Sequence, residues 1–136
     1  MQKSCKTYGK EYQMPEAVMD VLNQMNRVAD CTRMTELEKA HDPVITCPDS
    51  VRANGPFECT VHVGAHAPHP NEPGHYIGFI DLYLDDLYLC RADLAARKSD
   101  PKVTFTIMLP TSGTLKAYES CNLHGVWEST KEMKVT

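Results

Sequence analysis

The stretch His75-Tyr76-Ile77-Gly78-Phe79-Ile80-Asp81-Leu82-Tyr83-Leu84 decides the kind of fold that this sequence predicts. Apolar side chains occupy both alternating faces of the stretch, which is typical of a strand buried on two sides. Asp85-Asp86 then forms a turn into residues 87–90, which predict a second strand. We therefore expect a long strand in the middle of a β-sandwich.

Other strands are predicted on both sides of this stretch. Phe57–Val63 alternates apolar with polar residues, and residues 103–109 do the same. Shorter strands are predicted at residues 44–45 and 114–118. About seven short strands with frequent turn signals indicate an antiparallel β-sandwich. A parallel α/β fold is disfavoured because no helical stretches separate the strands.

The N-terminal region predicts a helical extension. Residues 1–14 are polar without a period, whereas Pro15 suits a first helical position and apolar residues recur at helical spacing up to Ala29. We expect a helix over about residues 15–29, within an extension spanning 1–34, and the sandwich domain over 35–136. The apolar face of this helix would pack on the domain or form a dimer contact. Residues 35–42 predict a charged loop, and the tail after Trp127 predicts a frayed end.

Composition excludes several classes of function. The 136 residues are 42% hydrophobic and 24% charged, which suits one soluble globular domain. A net charge of −4 gives no basic face for nucleic acid, and no apolar run is long enough to span a membrane. The first residues lack the apolar stretch of a secretory signal, which favours the cytoplasm.

The cysteines do not indicate a disulfide framework. There are 6 of them, irregularly spaced, and no Cys-x-x-Cys occurs. In a reducing cytoplasm most of them are expected to be buried thiols. A Cys5–Cys31 pair is the alternative that the sequence leaves open.

Residues that bind metals recur in predicted loops and at strand ends. These candidates are His41, His69, His75, Cys121 and His124. Loops and strand ends at one end of a sandwich converge in space, so these side chains can meet. Imidazole suits iron, zinc or copper, and a thiolate narrows the choice to iron, zinc or Cu(I). Four imidazoles and one thiolate exceed what tetrahedral zinc needs and fit a five-coordinate iron with one open position.

Two further histidines are weaker candidates. His66 lies in the same loop as His69 and is an alternative to it, whereas His62 is expected to face away from the core on its strand. For every histidine the alternative is a surface or hydrogen-bonded side chain.

Three separated motifs resemble the superoxide reductase family, which includes neelaredoxin and the iron domain of desulfoferrodoxin. The motifs are Glu38-Lys39-Ala40-His41-Asp42-Pro43-Val44-Ile45, His69-Pro70-Asn71-Glu72-Pro73-Gly74-His75-Tyr76-Ile77 and Cys121-Asn122-Leu123-His124-Gly125. They occur in the order of the family, and the similarity extends from about residue 36 to residue 128.

The resemblance implies a mononuclear Fe2+/Fe3+ centre. His41, His69, His75 and His124 would hold the iron in a plane, with Cys121 as the axial thiolate. It also implies an immunoglobulin-like form of the sandwich. Some relatives carry a second iron in a small rubredoxin-like domain, but this chain lacks the Cys-x-x-Cys that such a site needs. We therefore expect one iron and no second iron centre.

The family also places a lysine directly before its first histidine, but this chain has Ala40 there. The resemblance implies that Lys39 guides the superoxide anion to the iron, and that Glu38 closes the sixth position of the oxidised metal. The alternative is a solvated Glu-Lys pair on an exposed loop.

The resemblance implies an enzyme that reduces superoxide to hydrogen peroxide by one electron, without dismutation. Its partners would be superoxide and a rubredoxin-like electron donor, and the family's habits favour a homodimer or homotetramer. The displaced lysine favours a non-catalytic metal-binding or electron-carrier module as the alternative. An immunoglobulin-like interaction domain with incidental histidines is a third reading.

Overall fold

The structure, a computed structural model, describes residues 18–136, with side chains from residue 21 onward. This part of the chain forms a three-stranded sheet of order β1-β3-β6 and a five-stranded sheet of order β2-β8-β7-β4-β5. The strands are β1 (Pro43–Thr46), β2 (Ser50–Val51), β3 (Phe57–Val63), β4 (Ile77–Leu84), β5 (Leu87–Asp93), β6 (Lys102–Ile107), β7 (Gly113–Cys121) and β8 (Gly125–Val135).

The two sheets enclose one apolar core. Ile45 and Val61 of the smaller sheet belong to the same buried cluster as Leu82 and Leu115 of the larger sheet. All strand pairs are antiparallel except β2 with β8. The expectation of an antiparallel β-sandwich with β4 inside it is confirmed, although the described residues form eight strands where about seven were expected.

The expectation of a frayed tail after Trp127 is wrong, because these residues form β8, which lies inside the five-stranded sheet between β2 and β7. Alternate side chains of β8 face the interior. Trp127 is fully buried and Met133 is 4% exposed. Lys131 is also buried, and its Nζ reaches Asp49 Oδ1 at 2.6 Å. A long lysine stem can cover apolar surface while its ammonium group finds a charged partner.

The N-terminal helix ends earlier than the sequence predicts. A 3-10 helix covers Val18–Asn23, whereas residues 24–29 are not helical. The reason is a tertiary contact. Asn26 forms a parallel bridge with Trp127, in which Asn26 N–H donates to Val126 O at 3.0 Å and Glu128 N–H donates to Asn26 O at 2.9 Å. The predicted start of the helix at Pro15 lies outside the described residues.

The predicted charged loop before His41 is instead a helix, α1 (Glu36–His41). Its first turn carries a capping box. The Thr35 side chain accepts from Glu38 N–H, and Glu38 Oε1 accepts from Thr35 N–H at 2.8 Å. This reciprocal pair satisfies two backbone donors that a helix start leaves free. The capping box fixes where the helix begins and therefore where His41 lies at its end.

The expectation that most of the cysteines are thiols is confirmed for four residues, and the involvement of Cys31 in a disulfide agrees with the alternative that the sequence left open. Cys47, Cys59, Cys90 and Cys121 are free thiols. Cys31 is disulfide-bonded, and its partner lies outside the described residues, as does Cys5.

The sequence predicts no segment that spans a membrane. Among residues 18–136, no helix has the length and apolar character needed to cross a bilayer.

Truncation of Met133 tests whether β8 is a core strand. Met133→Ala should lower the free energy of unfolding by about 2–5 kcal/mol, because it leaves a cavity between the sheets. The exposed neighbour Lys134 provides the matched control, and Lys134→Ala should stay within about 0.5 kcal/mol. Denaturant unfolding measures both. Equal small effects would mean that the strand contributes little to the core.

Candidate metal centre

Side chains that can bind a metal ion come from three parts of the chain and meet at one end of the sandwich. His41 is the last residue of α1, and His75 lies two residues before β4. Cys121 ends β7, and His124 lies in the turn that leads into β8. One potential ligand atom from each of these four residues lies within 4.8 Å of the others. His41 and Cys121 are buried, whereas His75 and His124 are half-buried, so the cluster is open to solvent on one side.

His69 joins the same cluster from the loop between β3 and β4. Its Nε2 lies 3.2 Å from His41 Nε2, and its ring centroid lies 4.7 Å from that of His75. With His69 included, the structure brings together all five side chains that the sequence analysis gave as candidate metal ligands.

Backbone carbonyl groups determine which ring nitrogen of His41 and of His69 faces the cluster. His41 Nδ1 lies 2.7 Å from Leu37 O, and His69 Nδ1 lies 2.6 Å from Pro70 O. A carbonyl oxygen only accepts hydrogen bonds, so each Nδ1 carries the proton and each Nε2 carries a lone pair. A backbone carbonyl on the far nitrogen is the usual arrangement of a metal-binding histidine.

The Nε2 atoms of His41 and His69, which face the cluster, carry no proton. Two Nε2 lone pairs face each other across 3.2 Å, and His75 Nε2 is buried without a hydrogen-bond partner. A shared cation satisfies such atoms. Two nitrogens at right angles on one metal, each with a bond of about 2.1 Å, would lie about 3 Å apart. The donor set therefore fits a metal ion.

The turn between β7 and β8 presents a sulfur and an imidazole together. Cys121 Sγ lies 3.7 Å from His124 Nδ1, so this ring turns its Nδ1 toward the sulfur. Asn122, between them, ties the turn to the loop that carries His75. It accepts from Tyr76 N–H at 2.8 Å through Oδ1 and donates to Gly74 O at 2.9 Å through Nδ2.

Trp127 contacts two of the candidate metal ligands on their buried side. Its indole stacks on the His41 ring with centroids 5.2 Å apart and an interplanar angle of 24°. Its Nε1–H donates to His124 O at 3.0 Å. The indole thus seals the inner side of the cluster and fixes the backbone of the turn.

Burial favours the neutral form of three imidazoles, His41, His69 and His124, and the protonated form of the Cys121 thiol. It lowers the pKa of both His41 and His69 to about 4, and it lowers the pKa of His124. Burial also raises the pKa of Cys121, although the backbone N–H groups of Leu123 and His124 oppose that shift. Neutral imidazoles are ready to bind a metal, and the thiol must give up its proton to do so.

Glu119 is a buried acid beneath the cluster, two residues before Cys121. It is fully buried, and neither carboxyl oxygen has a hydrogen-bond partner among the described residues. Burial, followed by the charge of Asp42, raises the pKa of Glu119 well above its usual value. The Glu119 carboxyl group therefore keeps its proton to a higher pH than an exposed glutamate does.

The other predicted site residues lie near the cluster but have different partners. Both oxygens of Glu38 are occupied, one by Thr35 N–H and the other by Ala29 N–H at 3.0 Å, and neither belongs to the cluster of ligand atoms. Lys39 Nζ lies 3.2 Å from Glu36 Oε1 at the surface. The structure therefore does not bring the Glu38 carboxylate to the histidines.

The alternative ligand His66 pairs with a carboxylate instead. Its Nε2 lies 2.9 Å from Asp42 Oδ2. His62 lies on β3 opposite Val44 and Lys102 and is not part of the cluster.

Sequence reasoning missed three supporting residues, Asn122, Glu119 and Asn26. Only Asn122 had a detectable signal, since it lies inside the Cys-x-x-His motif. The others depend on which strands become neighbours.

The comparisons with known proteins point to one family. The sequence model described as Desulfoferrodoxin matches residues 33–130. A neelaredoxin from Megalodesulfovibrio gigas is 31% identical over 109 residues, which cover 67% of this chain and 84% of that protein.

Solved structures agree. The superoxide reductase (neelaredoxin) from Ignicoccus hospitalis superimposes with a TM-score of 0.71 at 35% identity, covering 89% of this chain and all of that one. The superoxide reductase from Nanoarchaeum equitans gives a TM-score of 0.62 at 30% identity, covering 73% of this chain and 97% of that one. With a family match over most of its length, this chain belongs to the superoxide reductase (desulfoferrodoxin) family.

Proposed function

We propose that the protein is a superoxide reductase with one mononuclear iron centre and no second iron. The observation that carries the proposal is the convergence of unprotonated ring nitrogens and the Cys121 thiol at one end of the sandwich. The ligands in the proposal are His41, His69, His75 and His124, with Cys121 as the thiolate. The family membership of the chain and the names of its relatives support iron over zinc.

Iron bound there would supply one electron to superoxide, which takes up two protons and leaves as hydrogen peroxide. The residues of the chain prepare the site for this chemistry. Trp127 excludes water from the inner side, and the half-buried His75 and His124 leave the outer side accessible to a small anion. A thiolate ligand would donate electron density to the iron, as it does in thiolate-bound haem. Cys121 has this role in the proposal.

Lys39 is the proposed guide for the anion. It follows Glu38 on the helix that ends at His41, and its side chain is 39% exposed. The protein has a net charge of −4, so a local positive charge near the site would raise the encounter rate with an anion. The contact with Glu36 is an exposed ion pair and contributes little to holding the lysine in place.

The partners in the proposal are superoxide and a rubredoxin-like electron donor. Leu123 lies in the same turn as two of the ligands and is 48% exposed, which offers an apolar contact for such a donor close to Cys121. The expected compartment is the cytoplasm, and the expected assembly is a homodimer or homotetramer.

A non-catalytic electron carrier is the second candidate. The observation that favours it is Ala40 in the position directly before His41, together with the contact between Lys39 and Glu36. A carrier would hold the same iron without drawing in superoxide.

Product stoichiometry tests the proposed reaction. The reduced, iron-loaded protein should consume superoxide and release one hydrogen peroxide for each superoxide, with no oxygen evolved. Peroxide and oxygen electrodes measure both products. Oxygen release without added reductant would mean dismutation, and no consumption of superoxide would favour the electron carrier.

Paired histidine variants test the ligand set. His75→Ala should lower the iron content and the rate together, because it removes a nitrogen that faces the cluster. His62→Ala is the matched control and should change neither. Metal analysis of both proteins provides the measurement, and full iron content in His75→Ala would remove this residue from the set.

The salt dependence of the rate tests Lys39. Lys39→Ala should lower the second-order rate with superoxide about tenfold at low ionic strength, and the difference should shrink as salt screens the charge. Lys134, exposed near the far end of β8, is the matched control. If the two alanine variants behave alike in pulse radiolysis, Lys39 guides nothing.

Glu38→Gln separates two roles for this residue. The sixth-ligand role implied by the family resemblance stays a prediction, whereas the hydrogen bonds to Thr35 and Ala29 favour a cap. If Glu38 acts as a cap, the change to Gln should lower the free energy of unfolding by about 1–3 kcal/mol, because one of the two backbone N–H groups loses its acceptor. The visible absorption of the oxidised protein should not change.

Glu36→Gln, an exposed change on the same helix, is the control for stability. A shifted absorption band in Glu38→Gln with unchanged stability would support the sixth-ligand role instead.

A further inference from the structure

The segment 21–29, termed here the N-terminal clamp, contacts two ligand-bearing parts of the site at once. Asn26 reaches the turn that carries His124, and Ala29 N–H donates to Glu38 Oε2 at 3.0 Å on the helix that carries His41. The clamp lies before residue 33, where the family match begins. One short segment thus contacts both the helix and the turn, which are about 80 residues apart in the sequence but adjacent in the structure.

Asn26 is the centre of this contact. Its side chain is fully buried, and Nδ2 donates to Val21 O at 2.8 Å and to Val126 O at 2.9 Å. His124 O lies 3.5 Å from the same nitrogen. The orientation of the amide is fixed, because reversing it would place the amide oxygen against carbonyl oxygens.

Asn26 approaches the carbonyl oxygens of His124 and Val126, the two residues on either side of Gly125. This glycine has φ +80, and a side chain there would overlap the carbonyl oxygen of Val21. The clamp therefore packs directly on the backbone of the turn, with no space for a Cβ between them. The requirement for glycine comes from this contact as well as from the turn.

The amide is used on its donor side only. Asn26 Oδ1 is buried and has no hydrogen-bond partner among the described residues. An unmade hydrogen bond of this kind costs free energy. The protein accepts that cost at a position where the donor side holds the backbone around His124.

We propose that Asn26 is a positioning residue for the metal centre, which sets the backbone of the His124 turn while the clamp braces α1 through Ala29. Outer contacts of this kind typically change metal affinity by about 10- to 100-fold when removed. The proposal rests on the metal site of the proposed function but not on its reaction with superoxide.

The test compares two changes in neighbouring clamp residues. Asn26→Ala should weaken Co2+ binding by about 10- to 100-fold in chelator competition. It should also change the thiolate-to-cobalt absorption, because the imidazole is no longer held in place. Arg27→Ala is the matched control. Arg27 ties the same clamp to Glu128 of β8 through an ion pair of 2.7 Å, so its loss should lower stability while leaving Co2+ affinity within about twofold.

Equal losses of Co2+ affinity in both variants, or wild-type affinity in Asn26→Ala, would overturn the proposal. Should Asn26→Ala not fold, Asn26→Ser keeps one donor and should give an intermediate loss of affinity, and wild-type affinity in that variant would overturn the proposal equally. The readout is independent of superoxide. A wild-type protein that binds Co2+ but does not consume superoxide would refute the proposed function and leave this inference standing.

Discussion

The site depends on one turn, residues 122–124 between β7 and β8, being held rigidly. This turn places Cys121 and His124 side by side, and neither could hold a metal alone. Three residues hold its backbone. Asn122 donates to Gly74 O, Trp127 donates to His124 O, and Asn26 Nδ2 of the N-terminal clamp lies 3.5 Å from His124 O. These contacts set the position of the turn, and the other histidines converge on it.

The electrostatics of the cluster explain why the site suits a cation. Burial lowers the pKa of His41 and His69 to about 4, so both of these imidazoles are neutral at neutral pH. Carbonyl oxygens fix the outer nitrogens of His41 and His69, so the inner nitrogens carry lone pairs. Burial raises the pKa of Glu119 beneath Cys121, which disfavours a second negative charge next to the sulfur. The thiolate is then the only negative ligand in the proposed set.

The sequence predicted the β-strands well where burial alternates, as in β3, and where both faces are apolar, as in β4. It failed where a tertiary contact overrode the local pattern. Residues 24–29 have helical spacing but pair with β8, and β8 looks like a charged tail because it buries Lys131 beside an acidic partner. For α1 the signal was present, since Thr35 and Glu38 have the spacing of a capping box.

The candidate site was predictable in its residues but not in its support. Motif spacing identified five side chains, and the structure brings them together. The positions of Glu38 and Lys39 were missed because residues 35–42 were expected to form a loop, although the spacing of Thr35 and Glu38 signals the start of α1.

The central claim is that these five side chains bind one iron. X-ray absorption at the iron edge of the loaded protein tests this most directly, since it counts the atoms bound to the metal. The account predicts one sulfur and four imidazole nitrogens, with the sulfur lost in Cys121→Ser. A spectrum with no sulfur, with two sulfurs, or unchanged in Cys121→Ser would contradict it.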